Sequence, residues 1–222
     1  MEQENHNLRE IECPNCGFEV QADITTAITP GDQSLEQLFE GTLNQVVCDQ
    51  CGIEFFCHTP LVFKTDEGDY VIYFNPEIAP LGYAEAEKQM KAALDASLAD
   101  IPEHEKPECR LTLTRNEFIE KIALHLAELD DKIIEYLKFH IYSQEGLNLQ
   151  SNELLFDFNR SDHEIIEFQV MDTVEGKLLY NTQTPVEAIE QIQHQLDAED
   201  CPVNLEEVFS GLYVQVKKLL EK

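Results

Sequence analysis

Two short stretches decide the fold of the amino-terminal part, Cys13-Pro14-Asn15-Cys16-Gly17 and Cys48-Asp49-Gln50-Cys51-Gly52. A Cys-x2-Cys turn directs two thiolates at one point, so two such turns supply the four sulfurs that a tetrahedral Zn²⁺ ion requires. The glycine after each pair allows the backbone to turn tightly around a metal. We therefore predict that Cys13, Cys16, Cys48 and Cys51 are metal ligands and that Zn²⁺ is the cofactor.

The predicted metal site is closed, because four thiolates fill the tetrahedron and leave no position for water or substrate. We therefore expect the zinc to be structural and the chain to have no catalytic residues. Iron is the alternative metal that four sulfurs permit. A second alternative is that some of these cysteines are ordinary buried thiols. Cys57 and His58 follow the second pair closely, but a place on a strand beyond the site explains them better than a role as ligands.

The chain is strongly acidic, with a formal net charge of −29 over 222 residues. Its first 75 residues carry only two basic side chains, Arg9 and Lys64. Proteins that bind nucleic acid gain most of their affinity by neutralising phosphates with lysine and arginine. The charge therefore argues against nucleic acid and anionic membranes as partners. It also favours solubility, which is a simpler explanation for it.

The cysteine content and the first residues predict a cytoplasmic protein. Seven cysteines are present, and removing the four predicted ligands leaves Cys57, Cys109 and Cys201, an odd number without regular spacing. A disulfide framework in a secreted protein would use an even set in a short chain. The chain has no apolar run near twenty residues, and its first residues are acidic and polar rather than apolar.

The predicted fold class is α+β, in three parts. A zinc-ribbon domain of short antiparallel strands is expected at 8–80, a helical linker at 81–108 and an α+β domain at 109–222. Alternating apolar and polar residues predict a strand at 18–24. A hairpin is expected from strands at 60–64 and 70–74, with Glu67-Gly68 at its tip. A short helix at 34–43, capped by Ser34, is expected to direct three side chains inward, those of Leu38, Phe39 and Leu43.

The remaining pattern predicts mainly helices and an antiparallel sheet. The helix at 83–98 has only a thin apolar stripe, and a strand at 109–113 is expected to open the last domain. Thr114-Arg115-Asn116-Glu117 is a capping box, and Asp130 is expected to cap the next helix. The further predicted elements are strands at 153–158, 164–171 and 177–180, a helix opened by Thr184-Pro185, and a last helix opened by Asn204.

The chain resembles the CpXC-domain proteins, a family named for two Cys-Pro-x-Cys knuckles. The resemblance implies the four zinc ligands and a two-part plan, and it implies no reaction. Asp49 departs from the pattern, because it stands where the second knuckle carries proline, and its flexibility is expected to loosen that turn. The matching segments are Cys13-Pro14-Asn15-Cys16-Gly17, Gly41-Thr42-Leu43-Asn44, Cys48-Asp49-Gln50-Cys51-Gly52, the strand pair at 60–74, Phe118-Ile119-Glu120-Lys121-Ile122 and the segment 129–138.

No familiar catalytic motif stands out in the sequence. Metalloprotease, nucleophile-elbow and phosphate-loop patterns do not occur. Asp130-Asp131 resembles a catalytic carboxylate pair, but a helix cap explains it more simply. Cys109 and Cys201 each lie beside a carboxylate, which raises a thiol's pKa and argues against an activated nucleophile. His125 and His140 fall near apolar helix faces, as residues at the edge of a core do.

We therefore expect a non-catalytic intracellular protein-interaction module with protein partners of unknown identity. One alternative is an enzyme with its active site in the carboxyl-terminal domain or in the cleft between domains. The other is a transcription-associated acidic ribbon that acts through protein contacts. The sequence does not predict an oligomeric state.

Overall fold

The computed structural model describes residues 6–196 and 203–221, and the chain divides into two compact units between Ile119 and Glu120. The protein is a mixed α+β protein, as predicted, with short strands and four clustered cysteines near its amino terminus. No helix of the described ranges combines the length and the apolar character that a membrane span needs.

The first unit begins with two hairpins and continues into a mixed sheet. Short 3-10 turns at Ala79–Leu81 and Glu103–Glu105 flank its long helix. In chain order its elements are β1 (His6–Glu12), β2 (Glu19–Thr25), β3 (Ala27–Ile28), α1 (Gln33–Phe39), β4 (Gln45–Val47), β5 (Glu54–Phe56), β6 (Leu61–Lys64), β7 (Tyr70–Phe74), α2 (Tyr83–Ser97), β8 (Glu108–Thr112) and α3 (Arg115–Leu126), which crosses into the second unit.

Two antiparallel hairpins carry the cysteine pairs. Strands β1 and β2 pair from His6↔Thr25 to Glu12↔Glu19, and the first cysteine pair lies in the turn between them. Strands β4 and β5 pair from Gln45↔Phe56 to Val47↔Glu54 around the second pair. The predicted strand at 18–24 is confirmed with a shift of one residue. These strands place the two knuckles at the tips of two separate hairpins.

A four-stranded sheet of order β3-β6-β7-β8 follows. The predicted hairpin of β6 and β7 is confirmed, and Gly68 at its tip has a φ of 73°. The strand expected to open the last domain is β8, which pairs in parallel with β7 from Tyr70↔Glu108 to Phe74↔Thr112. It therefore belongs to the sheet of the first unit. The domain bounds of 8–80, 81–108 and 109–222 stay a prediction about independently folding parts.

Helix caps were predicted with mixed success in this unit. The capping box is confirmed, because Thr114 Oγ1 accepts a bond from Glu117 N at 3.1 Å and Glu117 Oε2 accepts one from Thr114 N at 3.3 Å. Ser34 does not cap α1, which begins one residue earlier, at Gln33, with Asp32 at the cap position. Phe39 is 39% exposed, so it does not join Leu38 in the core.

The second unit packs helices against a three-stranded antiparallel sheet of order β11-β10-β9, as predicted. Its core gathers Ile134 and Ile141 from the long helix with Phe156, Phe168 and Val170 from the sheet. In chain order its remaining elements are α4 (Asp131–Glu145), β9 (Asn152–Phe156), β10 (Ile165–Asp172), β11 (Lys177–Pro185), α5 (Glu187–Leu196), α6 (Leu205–Val208) and α7 (Lys217–Leu220).

Two predicted helix starts of this unit are confirmed and one is wrong. Asp130 caps α4, since its side chain accepts from Lys132 N at 2.8 Å, and Asn204 caps α6 by accepting from Glu206 N at 3.0 Å. Pro185 does not open the predicted helix, which forms as α5 but begins two residues later, at Glu187. Pro185 ends the edge strand β11, opposite Ile165, where a missing N–H does no harm to the sheet. The expected last helix is two short ones, α6 and α7.

Candidate metal centre

The two cysteine knuckles have the same backbone conformation. Gly17 and Gly52 both have a φ of 72°, in the left-handed region that glycine adopts without strain. Gly17 N donates to Cys13 O at 3.0 Å and Gly52 N donates to Cys48 O at 2.8 Å. Asp49 therefore allows the same turn as Pro14, and the expected loosening of the second knuckle stays a prediction.

A second set of hydrogen bonds closes each knuckle. Cys13 N donates to Phe18 O and Cys48 N donates to Ile53 O, both at 2.9 Å. In return, the backbone at Phe18 and at Ile53 bonds to the sulfurs of Cys16 and Cys51 respectively. Amides directed at sulfur stabilise thiolates, so each knuckle is built to hold negative charge.

The hairpins bring the four sulfurs together. The Sγ atoms of Cys13, Cys16, Cys48 and Cys51 all lie within 4.8 Å of one another. The cross-knuckle distances are 3.7 Å from Cys13 Sγ to Cys51 Sγ and 3.6 Å from Cys16 Sγ to Cys48 Sγ. Sulfurs at about 2.3 Å from a tetrahedral metal are roughly 3.8 Å from each other. The four cysteines can therefore bind a metal ion, and none of them is in a disulfide.

Each knuckle contributes one buried and one exposed cysteine. Cys13 is 2% exposed and Cys48 is 1% exposed, whereas Cys16 and Cys51 face solvent. The buried pair packs with Val20, Ile24 and Val46 in a small apolar cluster. The first cysteine of each knuckle thus belongs to the hairpin core, and the second closes the site from the outside.

The sulfurs differ in how readily they lose a proton. A bond from the Ile53 backbone, helped by the Asn15 side chain, lowers the pKa of Cys51 to about 6. The Phe18 backbone acts in the same direction on Cys16, but local desolvation of the sulfur and the three neighbouring cysteines raise the pKa of Cys16 to about 12. Four thiolates at this spacing repel one another, and a divalent cation among them removes that repulsion.

Among the residues that the structure describes, no other cysteine or histidine belongs to the cluster. Cys57 and His58 are not among its members in the described ranges. Cys57 N instead donates to Asn44 O at 2.9 Å at the base of the second hairpin. Burial raises the pKa of Cys109, as expected of a thiol that is not an activated nucleophile. Cys201 lies outside the described residues. His140 packs edge-on against the Tyr136 ring, with centroids 4.7 Å apart.

Sequence reasoning missed a buried ionic cluster in the second unit. Lys138 Nζ lies 3.3 Å from Glu135 Oε1, and Lys121 Nζ lies 3.0 Å from the same oxygen and 3.2 Å from Asp131 Oδ2. None of these side chains is more than 7% exposed. Asp131 thus belongs to this ionic cluster through its ion pair with Lys121, while Asp130 caps the helix. The helical spacing of Glu135 and Lys138 was a signal for a pair, but not for its burial.

Sequence reasoning also missed two polar residues that brace the second hairpin. Asn44 bonds to the backbone of Thr25, and Arg115 bonds to the carbonyl oxygen of Leu43. Asn44 belongs to the segment Gly41-Thr42-Leu43-Asn44, which resembles the family pattern, but that pattern implies no role for it. The available signal was a polar residue directly before the short run Gln45-Val46-Val47, which leads to the second cysteine pair.

The fold and the cysteine cluster define a mixed α+β protein with a four-cysteine group that can hold a metal ion. Residues 11–138, more than half of the chain, match the family model described as CpXC protein, and the chain belongs to that family. The resemblance predicted from the sequence is thereby confirmed. Comparisons with curated proteins and with solved structures gave no match.

Proposed function

We propose that Cys13, Cys16, Cys48 and Cys51 hold a structural Zn²⁺ ion, and that the chain is a non-catalytic intracellular protein-interaction module. The observation that carries the proposal is the closed four-sulfur group, with Sγ atoms within 4.8 Å of one another. Four protein thiolates complete the tetrahedron of zinc and leave no open position for substrate. The ion would act as a cross-link between the two hairpins.

The size of the apolar cluster around the sulfurs supports a structural role. Its buried members are the two inner cysteines with Val20, Ile24 and Val46. Each buried apolar side chain contributes about 1.5–3 kcal/mol. So few of them provide little hydrophobic stabilisation for two hairpins. A structural zinc ion contributes folding free energy directly and replaces the missing core.

Exposed apolar side chains on both knuckles support an interaction role. Phe18 and Ile53 occupy equivalent positions, directly after the glycines, and are 41% and 38% exposed. Val47, directly before the second knuckle, is 52% exposed. Rigid aromatic and aliphatic side chains on a fixed frame suit protein contacts, because little conformational entropy is lost on binding. The acidic charge of the chain favours a partner with basic groups around an apolar patch.

Metal analysis tests the first half of the proposal. Protein purified without added metal should contain about one zinc per chain, as expected for one four-sulfur site. Cobalt substitution should give the visible bands of a tetrahedral thiolate complex. Iron in place of zinc, or no metal in a protein with reduced cysteines, would overturn this part of the proposal.

Variants of the exposed side chains test the second half. Phe18→Ser and Ile53→Ser should leave the zinc content unchanged and reduce the capture of a partner from the native host, measured by quantitative cross-linking. Leu178→Ser is the matched control, because Leu178 is 50% exposed on β11 of the second unit. Equal loss of capture in all three variants would contradict a role for the knuckles in binding the partner. Turnover of a substrate without any partner would contradict the non-catalytic part of the proposal.

A further inference from the structure

Asn44 joins the two cysteine hairpins at their ends away from the knuckles through a pair of side-chain hydrogen bonds. Its Oδ1 accepts from Thr25 N at 2.9 Å, and its Nδ2 donates to Thr25 O at 2.9 Å. Thr25 is the last residue of β2, and Asn44 directly precedes β4. The Asn44 amide thus takes the place of a neighbouring peptide group and satisfies both backbone groups of Thr25.

The backbone of Asn44 also closes its own hairpin. Its carbonyl oxygen accepts from Cys57 N at 2.9 Å, directly after β5 ends. Asn44 has a φ of 58°, a left-handed conformation that asparagine tolerates better than most residues. Asn44 and Thr25 are 9% and 7% exposed, so their bonds are shielded from water.

Arg115 holds the same segment from another side. Both of its terminal nitrogens donate to Leu43 O at 3.3 Å, and its guanidinium lies 5.4 Å from the centroid of the Phe56 ring. Leu43 itself is 1% exposed. The start of β4 is therefore fixed to β2 through Asn44 and to the amino terminus of α3 through Arg115.

We propose that Asn44 is a positioning residue of the metal centre, which sets the spacing of the two knuckles before the ion binds. Cys48 is the fourth residue after Asn44, about 13 Å along an extended strand, so Asn44 acts through the hairpin and does not touch the metal. With the amide in place, the free protein already holds its four sulfurs near the bound arrangement. Without it, binding must also bring the hairpins together, which weakens the affinity.

This inference rests on the zinc binding proposed above, and its test compares three variants of the full chain. Asn44→Gly keeps the left-handed backbone accessible and removes both side-chain bonds. Asn44→Asp keeps the acceptor for Thr25 N and loses the donor to Thr25 O. Gln45→Ala is the control, because it removes a single exposed bond, from Gln45 Nε2 to Glu54 Oε2 at 3.0 Å, within the second hairpin.

The readouts are zinc affinity, measured by competition with a chromogenic chelator, and the visible spectrum of the cobalt form. Two lost hydrogen bonds predict that Asn44→Gly raises the zinc Kd about tenfold or more and that Gln45→Ala stays near wild type. Asn44→Asp should weaken binding at least as much as Asn44→Gly, because its second carboxylate oxygen would face the Thr25 carbonyl oxygen in a buried site. The cobalt bands of Asn44→Gly should broaden, since the sulfurs sample more arrangements. If Asn44→Gly loads no zinc while NMR shows that its second unit is still folded, zinc affinity has fallen further than tenfold, and this result also supports the proposal.

The alternative role of Asn44 is that of a turn residue alone. In that case Asn44→Gly would bind zinc like the wild type, because glycine adopts the same φ, and the inference would be overturned. A wild-type protein that binds no zinc would overturn the proposed function itself. The two failures are therefore distinguishable.

Discussion

The ammonium of Lys138 lies 2.6 Å from the carboxylate of Glu120, and both side chains are only 2% exposed. The second oxygen of Glu120 accepts from Phe156 N at 2.7 Å, and Glu135 Oε2 accepts from Val216 N at 2.8 Å. Burial on its own lowers the pKa of a lysine, but Glu120 and Glu135 raise the pKa of Lys138 above its ordinary value. These charges therefore tie α3 and α4 to β9 and to the carboxyl-terminal segment.

Removal of one partner from this cluster should destabilise the protein strongly. Lys138→Met leaves the carboxylate of Glu120 buried without its nearest cation, which costs about 3–5 kcal/mol. Lys132→Met is the control on the same helix, since Lys132 pairs with a Glu206 carboxylate that is 77% exposed. Exposed pairs contribute at most about 1 kcal/mol. Urea unfolding of both variants measures the difference, and equal losses would show that Lys138 is not a buried pair partner.

The sequence was sufficient to predict the cysteine cluster because local spacing determines each knuckle. A Cys-x2-Cys-Gly turn needs no distant contact to aim its two sulfurs, and the caps of α4 and α6 at Asp130 and Asn204 are equally local. The parallel pairing of β8 with β7 is different, because Glu108 pairs with Tyr70, which is 38 positions earlier in the chain. Short apolar runs carry no information on which distant strand they join.

The supporting residues could not be predicted for a related reason. Lys121 and Lys138 look like solvent-facing positions in a helical pattern, because lysine is rarely buried unless it is paired. Their partners Glu120 and Glu135 are visible in the sequence, but only the packing of α3 against α4 places the four charges together. The role of Asn44 likewise depends on Thr25, which lies 19 residues away.

Acid should remove part of the stability through Glu167 on β10. The amides of Gln183 and Asn181, at 2.7 and 2.6 Å, and the guanidinium of Arg160 hold the pKa of Glu167 below its ordinary value of 4.5. A lowered pKa means that the stabilisation is present above the unfolded-state pKa and is lost as the pH falls through the folded-state value. Glu167→Gln should therefore be less stable than wild type at pH 7.

Urea unfolding at a series of pH values measures this prediction. The difference in the free energy of unfolding between wild type and Glu167→Gln should stay constant above about pH 5 and narrow below it, in proportion to protonation of the wild-type carboxylate. Glu164→Gln serves as the control, because the Glu164 carboxylate is 77% exposed. A difference that does not change with pH would assign the effect of Glu167→Gln to packing.

Asp49→Pro should stabilise the second knuckle. Asp49 occupies the position that Pro14 holds in the first knuckle, and the two knuckles share glycine φ values of 72° and the same backbone bonds. A proline at a compatible position restricts the unfolded chain and adds about 0.4–1 kcal/mol. Thermal unfolding of the metal-loaded protein measures the gain. Asp49→Ala separates the effect of the lost charge, and a gain of equal size in that variant would contradict the proline argument.

Metal removal should unfold the two hairpins and leave the second unit intact. The apolar cluster at the sulfurs is small, whereas the second unit has an extended core built from α4 and its sheet. Structural zinc contributes about 10–16 kcal/mol in small domains, so its loss leaves hairpins that are marginal in water. Chelation should therefore accelerate amide hydrogen exchange in β1, β2, β4 and β5, and leave exchange in β9 and β10 unchanged.

Cys16→Ser should reproduce the effect of metal removal without chelator, since one ligand is lost. Cys57→Ser should keep the protection of the wild type, because Cys57 lies outside the sulfur cluster. Hairpins that exchange at the same rate with and without metal would show that the ion does not hold them together.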